Sequence, residues 1–178
     1  MQQRSTDKIT FPGVWANSCC SHPLNIAGEN GDAVEGVIHA ARRKLAQELG
    51  IPENVTKGWK FNHIGKFEYK CRWDQDWVEH EIDHVLIVRA DCETNHNRNE
   101  IQAVDWLDRN ALSEMMEGKG RWKSQLIAPW FQGIYINFLN SNDFTLEEII
   151  DNPIKEIIRC EELSVNHPSN SASNVLSA

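Results

Sequence analysis

No stretch of this sequence approaches the ~20 consecutive apolar residues that a membrane-crossing helix needs. Its first residues, Met1 to Lys8, are polar and charged rather than signal-like, so a cytoplasmic, non-membrane protein is expected. An excess of basic charge is missing as well: 18 Lys and Arg stand against 26 Asp and Glu, for a formal net charge of −8. That balance excludes a nucleic-acid groove as the main feature, since phosphate backbones select basic surfaces, yet a few local cations could still hold a small anion. The five cysteines are odd in number and show no repeating spacing, which fits a reducing compartment better than a disulfide framework. There is no internal repeat. Low complexity is confined to residues 166–178, where Ser, Asn and Pro dominate and a disordered tail is expected.

What is present suits one domain. A chain of 178 residues, 40% hydrophobic and with seven tryptophans, can fill a sizeable core. The domain is expected over residues 1–162, with 163–178 as tail. From Ala33 to Leu49, Val34, Val37, Ile38, Ala41 and Leu45 recur at helical spacing, and Gly50 is a stop signal. Phe61 to Trp73 and Glu81 to Arg89 read as paired antiparallel strands, and Ile101 to Leu107 as a third strand. Asn110 to Met116, Pro129 to Leu139 and Leu146 to Glu162 read as helices. The irregular alternation predicts an α/β (α+β) fold, a mixed sheet with helices on both faces.

Chemistry concentrates in two places. Asn17-Ser18-Cys19-Cys20-Ser21-His22-Pro23 gathers two thiols, a hydroxyl and an imidazole where Pro23 blocks helix continuation. Each cysteine is either core filler or a reactive thiol, and a nearby cation or metal would favour the second by lowering the thiol pKa. Glu79 and Glu81 are separated by one residue, so a strand points both carboxylates to one face, with Ile82 and His84 on the other. Such carboxylates are solvated or share a metal ion, which removes their mutual repulsion. Tyr69, on the neighbouring strand, is either packing or a hydroxyl for the site. Glu48, near the helix end, is either solvated or placed to hold Mg²⁺ against a phosphate.

Together these segments resemble the type I isopentenyl diphosphate isomerase family of the Nudix-like superfamily. Gln2-Gln3-Arg4-Ser5, Lys8-Ile9-Thr10-Phe11-Pro12, Asn17 to Leu24, Arg42-Arg43, Glu48 to Ile51, Glu79-His80-Glu81-Ile82-Asp83, Asn99-Glu100 and Pro129-Trp130-Phe131 follow the family in order. The likeness covers about Gln2 to Leu139. It implies a Nudix-like α/β/α sandwich with a mixed, largely antiparallel sheet. It also implies interconversion of isopentenyl and dimethylallyl diphosphate by protonating one carbon and deprotonating another, with no redox cofactor.

By the same resemblance, Cys20 and Glu81 are the opposed acid and base, and Tyr69 assists at the glutamate. His22, Glu79 and Glu81 match ligands of a Zn²⁺, Mn²⁺ or Mg²⁺ ion. Arg4, Lys8, Ser21 and Lys44 match the diphosphate-binding positions, and Glu48 matches the ligand of a Mg²⁺ ion carried with the diphosphate. Trp130 matches an indole that stabilises a cationic intermediate through its π face. The implied partner is a small isoprenoid diphosphate, with no nucleic acid or membrane. Oligomeric state is not implied, and Leu176-Ser177-Ala178 is a poor match to a peroxisomal address.

The sequence departs from the family in four respects. Ala16 and Ala128 stand where threonine is usual. Lys44 stands where an arginine often sits and cannot make its bidentate fork. In the family two further histidine ligands lie upstream of the Gln2-Gln3-Arg4 match, on a stretch that also supplies a central strand. This chain begins after them, and its remaining histidines (His63, His80, His84, His96 and His167) offer no obvious replacement. The expectation is a polypeptide that binds its catalytic metal poorly and turns over little substrate. Alternatives are therefore an inactive isoform or binding paralogue, and a Nudix pyrophosphohydrolase. Lys44 and Gln47 replace glutamates of the hydrolytic box and so count against the last.

Overall fold

The computed structural model describes residues 1–31, 33–140 and 145–165. Two short strands, Gln2–Arg4 (β1) and Trp15–Ala16 (β2), pair antiparallel around a turn in which Phe11 adopts φ 49°. A bulky residue rarely enters the left-handed region, and Phe11 does so while fully buried. Ala33–Leu49 (α1) is the helix the apolar spacing predicts; Leu45 and Leu49 pack against Ile51 and Ile101. Gly50 ends it with φ +68°, where a Cβ would lie 2.2 Å from the Asn95 carbonyl oxygen, so only glycine fits.

After a short helix, Glu53–Thr56 (α2), come Phe61–Arg72 (β3) and Val78–Val88 (β4), paired antiparallel with Tyr69 opposite Glu81 and Cys71 opposite Glu79. On one face of β3, Phe67, Tyr69 and Cys71 are buried; Phe67 and Tyr69 stack at 5.6 Å between ring centroids. Ile101–Val104 (β5) pairs with β1, shorter than expected. Arg109–Met116 (α3) follows, capped by the Asp108 side chain accepting from the Ala111 N–H. Pro129–Ile134 (α4) runs on into a π-helical turn, Tyr135–Leu139, and buries Trp130, Phe131 and Phe138 against β3. Truncating a side chain such as Phe67 in this core costs about 3–5 kcal/mol.

The C-terminal part corrects the sequence reading. A single helix over Leu146–Glu162 is expected, but only Leu146–Asp151 (α5) is helical, and Ile157–Leu163 (β6) is a strand parallel to β3. Pro153 lacks the N–H that a continuing helix requires. Ile158, Cys160 and Leu163 then pack on the core, and the extra residue before Leu163 coincides with a register shift. That bulge hides the two-residue period and makes the segment read as helical. The expected low-complexity tail, 166–178, with His167, lies outside the described residues.

The fold is α+β, with its strands in two three-stranded sheets ordered β2-β1-β5 and β4-β3-β6. Between them lies a cavity of about 670 Å³, bordered by β4 from Ile82 to Val88, by Met1, Gln2 and Val104, and by the α1 residues Val37, Ala41 and Leu45. No helix among the described residues is long and apolar enough to cross a membrane.

Candidate active site

The β3–β4 register builds the centre of the site. Because Tyr69 and Glu81 are direct partners and Glu79 lies two residues away, all three side chains project from the same face. The Tyr69 hydroxyl is 3.1 Å from Glu79 Oε2 and 3.1 Å from Glu81 Oε2. Thr10 donates to Glu79 Oε1 at 3.4 Å, and His22 Nε2 stands 3.2 Å from Glu81 Oε1. His80 faces away and pairs instead with Glu68, as strand alternation predicts.

Arg4, Lys8, Cys20, Ser21, His22, Lys44, Glu48, Tyr69, Glu79, Glu81 and Trp130 all line one cleft of about 300 Å³. Every residue to which the resemblance assigns a role is thus brought to one place. The larger cavity between the sheets is mostly apolar-lined and meets the cleft at Cys20 and Ser21.

The cations are already engaged. Arg4 donates to the carbonyls of Phe11 and Thr10 at 3.0 and 2.9 Å, so the strained turn at Phe11 fixes its guanidinium, 5.6 Å from the Trp130 ring centroid. Lys8 pairs with Glu100. Lys44 pairs with Glu48 at 2.7 Å, one helical turn on, and Gln2 donates to the other Glu48 oxygen at 3.1 Å. The Trp130 indole N–H donates to Asn17 Oδ1 at 3.0 Å, while the Asn17 amide donates to the Cys19 carbonyl at 2.6 Å. Asn17 therefore ties the indole to the thiol-bearing loop.

Burial dominates the electrostatics. It raises the Cys20 thiol well above its ordinary range, reinforced by the charges of Asp83, Cys19, Glu81 and Glu48. It likewise raises the Tyr69 hydroxyl, with Asp83, Glu81 and Glu79 adding to the effect. Glu79 is raised by desolvation and by Glu81, and Asp83 is pushed up to about 7 by burial, then by Glu81 and Glu79. The pocket thus carries more negative charge than its neutral walls tolerate, a condition that a bound cation relieves.

His22, Glu79 and Glu81 have the donor chemistry of a divalent-ion site, and Glu48 suits a phosphate-bound Mg²⁺. Among the described residues, however, no group of three or more His, Cys, Asp or Glu side chains converges closely enough to hold a metal ion. The donor set is chemically apt and geometrically open.

Four contributors stand in the matched segments but were assigned no role from sequence. Asp83 continues the two-residue spacing of Glu79 and Glu81, a signal present in the sequence. Arg43 also lines the cleft; it grips Glu29 through two hydrogen bonds, 2.7 and 3.0 Å, and donates to the His22 carbonyl at 3.1 Å. The Arg43 hydrogen bond lowers Glu29 to about 2. This clamp anchors the loop that carries His22. Thr10 and Asn17 act from loops, where spacing carries no such signal.

Comparison with known proteins shows the family. A family model described as NUDIX domain matches residues 1–131. The isopentenyl-diphosphate delta-isomerase of Schizosaccharomyces pombe is 41% identical over 143 residues, 78% of this chain and 61% of that protein. Isopentenyl-diphosphate Delta-isomerase 1 of Bos taurus is 42% identical over 141 residues, 78% and 61% respectively. The isopentenyl-diphosphate delta-isomerase of Gibberella zeae is 35% identical over 167 residues, 92% and 63%. The chain spans about three-fifths of the length of these curated relatives. With the domain match running from Met1 through β3 and β4 to Phe131, this chain belongs to the NUDIX family.

Proposed function

We propose that the cleft binds isopentenyl diphosphate and interconverts it with dimethylallyl diphosphate. The observation that carries this reading is the Tyr69 hydroxyl bridging Glu79 and Glu81 in the same cleft as the buried Cys20 thiol. Moving a double bond by one position requires a proton added at one carbon and another removed from a neighbouring carbon, with no net change in hydrogen. Two groups suffice if one starts protonated and the other does not. Cys20, kept as a thiol by burial, and Glu81 are that pair; proton exchange with solvent resets both groups for the next turnover.

The remaining residues support the task. Arg4, Lys8 and Lys44 would exchange their present partners for diphosphate oxygens, with Ser21 at the border. Glu48 would hold Mg²⁺ against the diphosphate, and His22, Glu79 and Glu81 a second divalent ion. When bound, that ion supplies positive charge to offset the paired carboxylates. A tertiary carbocation needs a dry aromatic wall, and Trp130, 2% exposed and edge-on to Phe11, offers one; cation–π attraction is worth about 0.5–2 kcal/mol. The five free thiols support a reducing compartment, and the cytoplasm is our reading.

A second reading, binding without turnover, draws support from the open metal donor set. Hydrolysis is disfavoured because Lys44 and Gln47 stand where the hydrolytic box carries glutamates, and Gln47 bonds Arg43 rather than offering a carboxylate. Incubation with isopentenyl diphosphate and Mg²⁺, followed by proton and phosphorus NMR, tests all three. Dimethylallyl diphosphate without orthophosphate is expected. Binding alone would favour the second reading, and orthophosphate release would favour hydrolysis.

A further inference from the structure

We propose that His63 and His84 form a separate cation site on the face of the β3–β4 ribbon opposite the cleft. It takes a borderline transition-metal ion such as Zn²⁺, Ni²⁺ or Cu²⁺ through His63 Nε2 and His84 Nδ1. Neither residue takes part in the chemistry proposed for the cleft.

A β-bulge creates the pair. From Arg72 back to Gly65, β3 keeps a regular register with β4, Lys66 lying opposite His84. Without a shift, His63 would fall opposite Ile87 and share the face of Tyr69. The register instead skips Ile64, so that His63 lies opposite Leu86, on the face of His84 and diagonal to it. Ile64 takes the core position, 1% exposed. Gly65 permits the bend: a Cβ there would come within 2.7 Å of the Phe138 ring and 3.2 Å of the Ile154 carbonyl oxygen.

The spacing of the two rings suits a shared ion. Their centroids are 5.0 Å apart and their planes 39° apart. A metal about 2.0–2.1 Å from an imidazole nitrogen lies roughly 3.2 Å from the ring centre, so two rings bound at right-angle to tetrahedral positions have centres roughly 4.5–5.2 Å apart. The observed separation falls in that window.

Two unpaired ring nitrogens accompany that spacing. His63 Nε2 and His84 Nδ1 are both buried, and neither has a hydrogen-bond partner. A buried imidazole nitrogen left unpaired is costly and calls for a ligand or water. Burial, with the nearby charge of Lys66, lowers both imidazole pKa values and keeps the rings in the neutral, ligating form at pH 7. His84 also lines the cavity between the sheets, which gives an ion an entry path and room for the waters that complete its shell. Two imidazoles favour the later first-row ions over Mg²⁺ or Ca²⁺, which prefer oxygen.

The test uses the full chain carrying Glu79→Gln and Glu81→Gln, which removes the two carboxylates beside His22 and keeps the two sites distinguishable. NiCl₂ and ZnCl₂ are titrated by calorimetry, and CuCl₂ is followed by electron paramagnetic resonance. One ion per chain is expected, with nitrogen hyperfine structure from two imidazoles. Adding His63→Gln or His84→Gln should weaken Ni²⁺ binding at least tenfold, and adding both should weaken it little further. Unchanged affinity in these variants, or no ion bound by the parent, overturns the proposal. If a variant fails to fold by circular dichroism, protection of His63 and His84 from diethyl pyrocarbonate by Ni²⁺ in the unsubstituted chain replaces it. Absence of protection there counts against the site.

Discussion

The Tyr69 hydroxyl stands 3.1 Å from Glu81 Oε2 and equally close to Glu79. A phenol carries one proton, so it can donate to only one carboxylate; the other contact needs a proton from the carboxyl side. With Tyr69 and Glu79 both shifted towards their protonated forms, the three groups share protons as a unit. Tyr69→Phe removes a bond that lowers the Glu79 pKa, so Glu79 should titrate higher still. The expected outcome is a kcat reduced about 10²–10⁴-fold with a modest change in KM. Glu81→Gln should reduce turnover at least as much, and more than Glu79→Gln does. Steady-state kinetics across pH checks both.

The vicinal thiols should separate cleanly. Cys20 lines the cleft, whereas Cys19 lies 4.0 Å from the Ala41 carbonyl on α1, packs against the Leu45 cluster, and is pushed up to about 12, chiefly by burial. Cys20→Ala should abolish isomerisation. Cys19→Ala should keep most of it and cost about 1 kcal/mol of stability. Alkylation by an electrophilic substrate analogue, mapped by mass spectrometry, should fall on Cys20, slowly at pH 7 and faster as the thiol ionises.

Glu29 and Asp83 should shape stability in opposite directions. The Arg43 hydrogen bond holds Glu29 at about 2, below its ordinary 4.5. Its stabilisation is therefore complete above about pH 4.5 and lost as the pH falls towards 2. Glu29→Gln should destabilise the chain by about 1–2 kcal/mol at pH 7, after allowance for solvent screening, and not at pH 2. Loosening of the His22 loop should raise KM as well.

Asp83 is raised to about 7 from 3.8. Its contribution is fully present below about pH 4 and drains away as the pH rises to 7, because the unfolded chain ionises first. Asp83→Asn should thus be more stable than the parent above pH 7, by on the order of 1–3 kcal/mol, with the difference vanishing near pH 4. Urea midpoints in the presence of a chelator measure it.

Local periodicity made much of this legible. The apolar spacing of α1, the pairing of β3 with β4 and the shared face of Glu79 and Glu81 follow from repeats of 3.6 and 2.0 residues. The cysteine-histidine loop and the carboxylates could be assigned to one site only by resemblance, since nothing local brings Cys20 to Tyr69. A bulge defeated the reading at β6 by breaking its two-residue period, so that the segment read as helix. Long-range partners such as Arg43 with Glu29, or Asn17 with Trp130, depend on loop paths that no local pattern encodes.

The central claim is proton transfer between Cys20, Glu81 and an isoprenoid diphosphate. Its most direct test is incubation of the chain with isopentenyl diphosphate and divalent ion in D₂O, followed by deuterium NMR of the product. The account predicts dimethylallyl diphosphate bearing solvent deuterium, with no signal from Cys20→Ala or Glu81→Gln. Labelled product from either variant at the parent's rate, or no deuterium incorporation by the parent, would contradict it.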